Sequence, residues 1–249
     1  MVIESSTKHN ICVHHQLHID GIILNRATSC KFLGITLDEF LSRKQPLSTV
    51  NSKISRALFT IKQVKFTLTK ETVRILYFSL LHPHLIYGIL AWGNATFNSL
   101  RKTELLQKRA IRTIHNTKFN SHTDPLFKHS GILKLSDLYQ LEVMLFMHDY
   151  SHNKLPKSFK NFYHINRDVR GTYDTRQSYM YYIPSTKSRF VDKLPFFQFP
   201  TIWNSWYAKL NVQVSHYYLK RSIQNNYLSK YATVVHCDNQ RCTDCHNVS

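Results

Sequence analysis

The sequence predicts an α+β chain that is mainly α, with a short N-terminal antiparallel β segment followed by a helical bundle. Three observations carry this. Short alternating runs joined by tight turns read as strands over roughly the first 38 positions. From Leu47 onward the apolar residues recur every three or four positions, the spacing of a helical face. Hydrophobic residues make up 43% of 249 positions, enough to build a core.

Within the β segment, Ile11-Cys12-Val13-His14 alternates and Asp20-Gly21 is turn-like ahead of Ile22-Ile23-Leu24. Cys30–Leu37 reads as further short strands, a hairpin among them. Gly34 there fits either an unusual dihedral with close backbone approach or an ordinary bulge glycine. Leu47, Val50, Ile54, Leu58, Ile61 and Val64 then define a helix of about five turns, with Pro46 near its start. Lys53, Arg56, Lys62 and Lys65 fall on its other sides.

Thr69 is the expected N-cap of the next helix, and Glu71 complements the dipole in its first turn. Val73, Leu76, Tyr77, Leu80 and Leu81 form its apolar face, and Pro83 is expected to bend or stop it at His82. A second apolar run, Leu85 to Trp92, leads to a break at Gly93-Asn94. Leu100–Ile114 resumes helical spacing with Leu106, Ala110 and Ile114 inward, leaving Lys102, Lys108, Arg109 and Arg112 mostly off that face. Residues 116–125 read as a polar connection, and Ser136 as the N-cap of a helix carrying Leu138, Leu141, Met144 and Leu145 to about Tyr150. Residues 163–195 read as extended or loop-like, and 214–227 as a last helix. The expected division is 1–44 β-rich, 45–150 helical, 151–232 a mixed loop and helix extension, and 233–249 a Cys-rich tail read as disordered.

Lys+Arg 33 against Asp+Glu 15 gives a net charge of +18, which a compact chain accommodates best beside a polyanion. With 13% aromatic residues available for base stacking, nucleic acid is favoured over a membrane surface or a generic basic protein. No apolar run reaches the ~18–20 residues of a membrane span, because His82, Pro83 and His84 interrupt the most apolar region. The first ten residues hold no apolar signal core, and five cysteines are an odd number with three crowded at the tail. An intracellular location, nucleus or cytoplasm, is expected.

No catalytic or metal site is assigned. Fifteen histidines include none paired with a Glu at helical zinc-hydrolase spacing, and no nucleophile elbow occurs. Asp38-Glu39, the one adjacent acidic pair, reads as a surface turn. Cys237, Cys242 and Cys245, flanked by His236 and His246, make only half of a zinc ribbon, so a frayed tail is the preferred reading.

Several stretches together carry a resemblance: Leu76-Tyr77-Phe78-Ser79-Leu80-Leu81-His82-Pro83-His84-Leu85-Ile86-Tyr87-Gly88, Ala91-Trp92-Gly93, and Leu106-Gln107-Lys108-Arg109-Ala110-Ile111-Arg112. Lys31-Phe32-Leu33-Gly34 precedes them, and His122-Thr123-Asp124-Pro125, Ile132-Leu133-Lys134-Leu135 and Trp203-Asn204 follow. In order and spacing, roughly residues 1–230 resemble the carboxy-terminal region of jockey-like non-LTR retrotransposon reverse transcriptases. This is the end of the palm, the thumb and the sequence downstream. Trp206-Tyr207 departs from the Leu-Pro pair that the family usually has there.

The resemblance implies that residues 31–34 form a hairpin near the primer strand and that the helices from Leu47 form a thumb-like domain. It also implies a parent RNA-directed DNA polymerase whose palm carboxylates, two of them adjacent aspartates, hold Mg²⁺. This chain has no Asp-Asp pair, so it is expected to be no enzyme on its own and to need no cofactor, Mg²⁺ being expected only in the full-length parent. The implied partners are RNA or DNA, as template–primer duplex, and upstream polymerase domains, with no membrane. Lys53, Arg56, Lys62, Lys65 and Arg74 are the candidate phosphate contacts on the first helices, and Lys102, Lys108, Arg109 and Arg112 those further on. The alternative is a non-catalytic helical remnant or protein-interaction module without a nucleic-acid ligand. Clustering of the basic side chains on one face would separate the two.

Overall fold

A computed structural model describes residues 18–23, 27–40, 43–170, 177–185, 194–207 and 214–231. The expected strand at Ile11–His14 and the Cys-rich tail lie outside these residues. Two small antiparallel hairpins come first. β1 (His18–Ile19) pairs with β2 (Ile22–Ile23) across the Asp20-Gly21 turn, and β3 (Ser29–Phe32) pairs with β4 (Ile35–Asp38). The second turn places Leu33 at φ 46° and Gly34 at φ 78°, the left-handed pair that matches strand twist. Helices follow, so the chain is α+β and mainly α, as its periodicity predicts.

Helix α1 (Lys44–Val64) buries Leu47, Ile54, Leu58 and Ile61 along one stripe. Helix α2 (Lys70–Leu76) starts as expected, with the Thr69 hydroxyl accepting from the Thr72 amide and Glu71 in the first turn. Of the bend or stop expected at His82-Pro83, the stop does not occur. Residues Tyr77–Leu81 form a π-helical turn in which the His82 amide reaches back to the Tyr77 carbonyl, and α3 (His82–Ile86) continues directly. The wider turn opens the backbone where the proline ring would otherwise collide with the preceding carbonyl, so the helix passes through Pro83.

The buried column is therefore Val73, Tyr77, Leu81, Leu85 and Ile89, while Leu80, expected inside, is exposed. The real break is at Tyr87-Gly88, where Gly88 takes φ 66°. A Cβ at Gly88 would come within 2.4 Å of Ile35 Cδ1, because the second hairpin docks there, held also by the Tyr87 hydroxyl donating to the Leu33 carbonyl. Helix α4 (Ile89–Trp92) ends at Gly93, close to the expected break.

Helix α5 (Phe97–His115) packs on α1 and buries Leu106, Ala110 and Ile114 as expected. The connection after it is shorter than predicted, since α6 (Asp124–Ser130) already begins at Asp124 with Pro125 in its first turn. Helix α7 (Leu135–Ser151) starts one residue before Ser136, whose hydroxyl meets Asp137 instead of capping. Within residues 163–195, α8 (Asn166–Arg170) and a bridge between Ile165 and Tyr181 replace some of the expected loop.

Helix α9 (Pro195–Tyr207) is longer than its aromatic, proline-containing sequence suggests, and α10 (His216–Lys230) sits near the expected last helix. Both pack on α7, so one apolar core runs from Leu47 to Tyr231. No described helix is long and apolar enough to cross a membrane.

His82 is half-buried beside this core, with its Nδ1 out of reach of solvent and lacking a protein partner. Burial, with Lys220 nearby, lowers its pKa from 6.5 to about 4. The unfolded chain therefore binds this proton first as the pH falls. His82 contributes stability that is present above pH ~6.5 and lost progressively toward pH ~4, at most about 3 kcal/mol. Thermal unfolding across that range should show an acid-side decline that His82→Leu flattens; an equal decline in the variant would refute the assignment.

Candidate nucleic-acid interface

Helices α1 and α5 run parallel. The Thr103 hydroxyl donates to Asn51 Oδ1 at 2.8 Å inside the core, and Lys65 Nζ donates to Asn116 Oδ1 at 2.9 Å at the far end. The two links have nearly the same offset along the chain, which fixes the register of one helix on the other. Helix α1 carries Lys44, Lys53, Arg56 and Lys62 and no acidic residue, while α5 carries five basic residues against Glu104 alone. The pair thus presents positive charge along most of its outer surface.

The nine sequence candidates fall into distinct environments. Arg56 and Lys102 line one shallow groove between the helices, with Asn51, Ser52, Ser55 and Phe59. Lys62 and Arg109 are exposed, and Arg109 stands seven residues from Lys102, on the same side of α5. Lys53 borders a small cleft with Thr36, Thr49, His84 and Tyr87, where the second hairpin meets the helices. Burial lowers the His84 pKa, and Lys53 and then Arg56 lower it further, so positive potential collects at this end of α1. Lys108 lies apart, in a depression shared with Glu104 and Lys134.

Three candidates are engaged within the protein. Arg74 Nε donates to the Ser130 carbonyl at 2.7 Å and its guanidinium lies 5.0 Å from the Phe78 ring centroid. Arg112 Nε donates to the Ser121 carbonyl at 2.9 Å, and its pKa is lowered by burial and secondarily by Arg109. Lys65, besides its bond to Asn116, sits 4.4 Å from the Phe66 ring centroid.

Sequence reading missed Ser52, Ser55 and Phe59, although their three- and four-residue spacing places them on one strip of α1. Among the described residues, no group of three or more His, Cys, Asp or Glu could hold a metal ion. Asp38 ends β4 and Glu39 enters the following turn, whose amide bonds the Thr28 carbonyl at 3.0 Å.

No family profile matches the chain, and no solved structure matches it. Two proteins of Drosophila melanogaster do. The chain is 30% identical over 101 residues to a probable RNA-directed DNA polymerase from transposon BS, covering 39% of this chain and 11% of that protein. It is 27% identical over 126 residues to the RNA-directed DNA polymerase from mobile element jockey, covering 49% of this chain and 14% of that protein. Part of this chain is related to non-LTR retrotransposon reverse transcriptases. It spans only about an eighth of the length of these reverse transcriptases.

The α1–α5 register makes a stability prediction. Thr103→Val leaves Asn51 Oδ1 buried without its donor and should cost about 1–3 kcal/mol. Adding Asn51→Leu should recover part of that loss, because both polar partners are then gone. Urea unfolding of the single and double variants measures this; strictly additive losses would show that the bond does not join the helices.

Proposed function

We propose that this chain is a nucleic-acid-holding part of an RNA-directed DNA polymerase of mobile-element type, gripping template–primer through the α1–α5 face. The observation that carries this reading is the groove that Arg56 and Lys102 share, with Lys62 and Arg109 exposed further along the same two helices locked in register, while Glu104, the one acid of the pair, lies on the Lys108 side of α5. Their charges face solvent, so phosphate oxygens could take them without breaking the fold. Phosphate contacts set position and orientation and carry no base information. The relatives' names supply the chemical setting, since both are RNA-directed DNA polymerases.

Polymerisation itself is assigned to no residue of this chain. The two-metal reaction needs closely placed carboxylates, and no Asp-Asp pair occurs in the sequence. Mg²⁺ accordingly belongs with the catalytic carboxylates of a full polymerase. Purified chain supplied with template–primer, deoxynucleotides and Mg²⁺ or Mn²⁺ should give no primer extension; incorporation above a mock preparation would overturn the assignment.

Binding should be strongly salt-dependent, with log K falling against log salt at about −0.9 per contacted phosphate on B-form duplex. The double variant Lys102→Glu/Arg109→Glu should weaken binding about tenfold or more at low salt and flatten the slope by roughly two units. Its fold should persist, because both side chains are exposed. Arg112→Glu is the informative contrast, because it breaks the bond to Ser121 and should lower stability as well. Filter binding across salt on RNA–DNA hybrid and duplex DNA provides the measurement. Undetectable binding at low salt, or an unaltered slope in the double variant, would leave the chain a helical remnant without a nucleic-acid ligand.

A further inference from the structure

Phe59 is 63% exposed in the C-terminal half of α1 and lines the groove that Arg56 and Lys102 border. Among the described residues it has no aromatic or cationic partner, unlike Phe66, whose ring Lys65 covers, or Phe78, which Arg74 covers. Beside it the hydroxyls of Ser52 and Ser55 face the same groove, and Lys62 lies one turn further on. A bare aromatic ring framed by cations and small hydroxyls on an acid-free helix is the arrangement that stacks a base while its phosphates are held alongside. A base inside a duplex has both faces covered by its neighbours, so an unpaired nucleotide is the partner that this ring fits.

We propose that the α1–α5 groove engages an unpaired nucleotide of a single strand, with Phe59 as its stacking platform and Arg56 and Lys102 on the flanking phosphates. This rests on the nucleic-acid reading of the same face and narrows its ligand to a strand with free bases. Charge and stacking are separable in binding data. Phosphate contacts set the salt slope, whereas a stacked ring adds affinity with little salt dependence.

The test compares Phe59→Ala, Phe59→Trp and wild type on labelled oligothymidylate and on a fully paired DNA duplex. Removing a largely exposed ring opens no cavity and alanine is the better helix former, so Phe59→Ala should fold. The expected result is about a tenfold loss on oligothymidylate with an unchanged salt slope and duplex binding within twofold of wild type. Phe59→Trp should bind as wild type does, and its emission should be quenched by the oligonucleotide, the native Trp92, Trp203 and Trp206 all being buried. Equal loss on both probes, no loss on oligothymidylate, or an unquenched tryptophan would overturn the stacking role while leaving the basic-face reading intact. A wild-type chain that binds neither probe at low salt would overturn both. A dimer that Phe59→Ala dissolves would assign the ring to self-association and also overturn the proposal.

Discussion

The orientation of α5 depends on Gln107. Its Nε2 donates to the Tyr77 hydroxyl at 3.2 Å and to the Leu133 carbonyl at 2.9 Å, and the side chain is 2% exposed. Those bonds join the π-helical turn, α5 and the approach to α7. Each group would cost about 1–3 kcal/mol if buried unpaired, so α5 has little freedom to rotate about its axis. At roughly 100° per residue, Lys102 and Arg109 then stand about 140–160° around the helix from Gln107. A buried amide fixed inward is what sets two candidate phosphate contacts outward.

The basic residues divide according to what carbonyl oxygen is near. Arg74 and Arg112 meet the main-chain carbonyls of Ser130 and Ser121, which helps to fasten the ends of α6 and the connection before it. A guanidinium suits this role, since it keeps its charge when partly buried and still has N–H groups to spare. Arg56 and Lys62 have no acidic residue on α1, and Glu104, the one acid of α5, lies around the helix from Lys102 and Arg109, beside Lys108. Like charges gathered this way repel one another, and a polyanion relieves that repulsion.

Much of the helical order was legible because it is local. The stripe of α1, the Thr69 cap and the inward face of α5 each follow from residues within a turn or two of one another. The continuation through Pro83 was not, because it depends on a π-turn backbone that no single residue encodes. Helix α9 was hidden for a related reason: its aromatic residues and Pro200 are poor helix formers, and packing of Phe199, Trp203 and Trp206 on the core overrides local preference. At the candidate interface, charge and spacing were readable. Which arginines are occupied was not, since Arg74's partner carbonyl lies 56 residues away. The exposure of Phe59 also required the tertiary structure, because a phenylalanine on an amphipathic helix reads by default as core.

Several of the stretches that resemble reverse transcriptases turn out to be one another's partners. Tyr77 from the first is bonded to Gln107 from the third. Tyr87 and Gly88 receive the Leu33-Gly34 hairpin, and the Trp92 indole donates to the Tyr87 carbonyl at 3.1 Å. Asn204, beside the buried Trp203, donates to the Tyr181 carbonyl at 2.8 Å and accepts from the Tyr181 amide at 3.0 Å. These are tasks of architecture: a bond that satisfies a buried hydroxyl, a glycine where a hairpin approaches, an amide that closes a backbone bridge. Each would have to be kept for the helical layer to hold its shape, whether or not catalytic carboxylates are present. The likeness to RNA-directed DNA polymerases is therefore a statement about scaffold, and the case for binding rests separately on the charges and the ring that this scaffold turns outward.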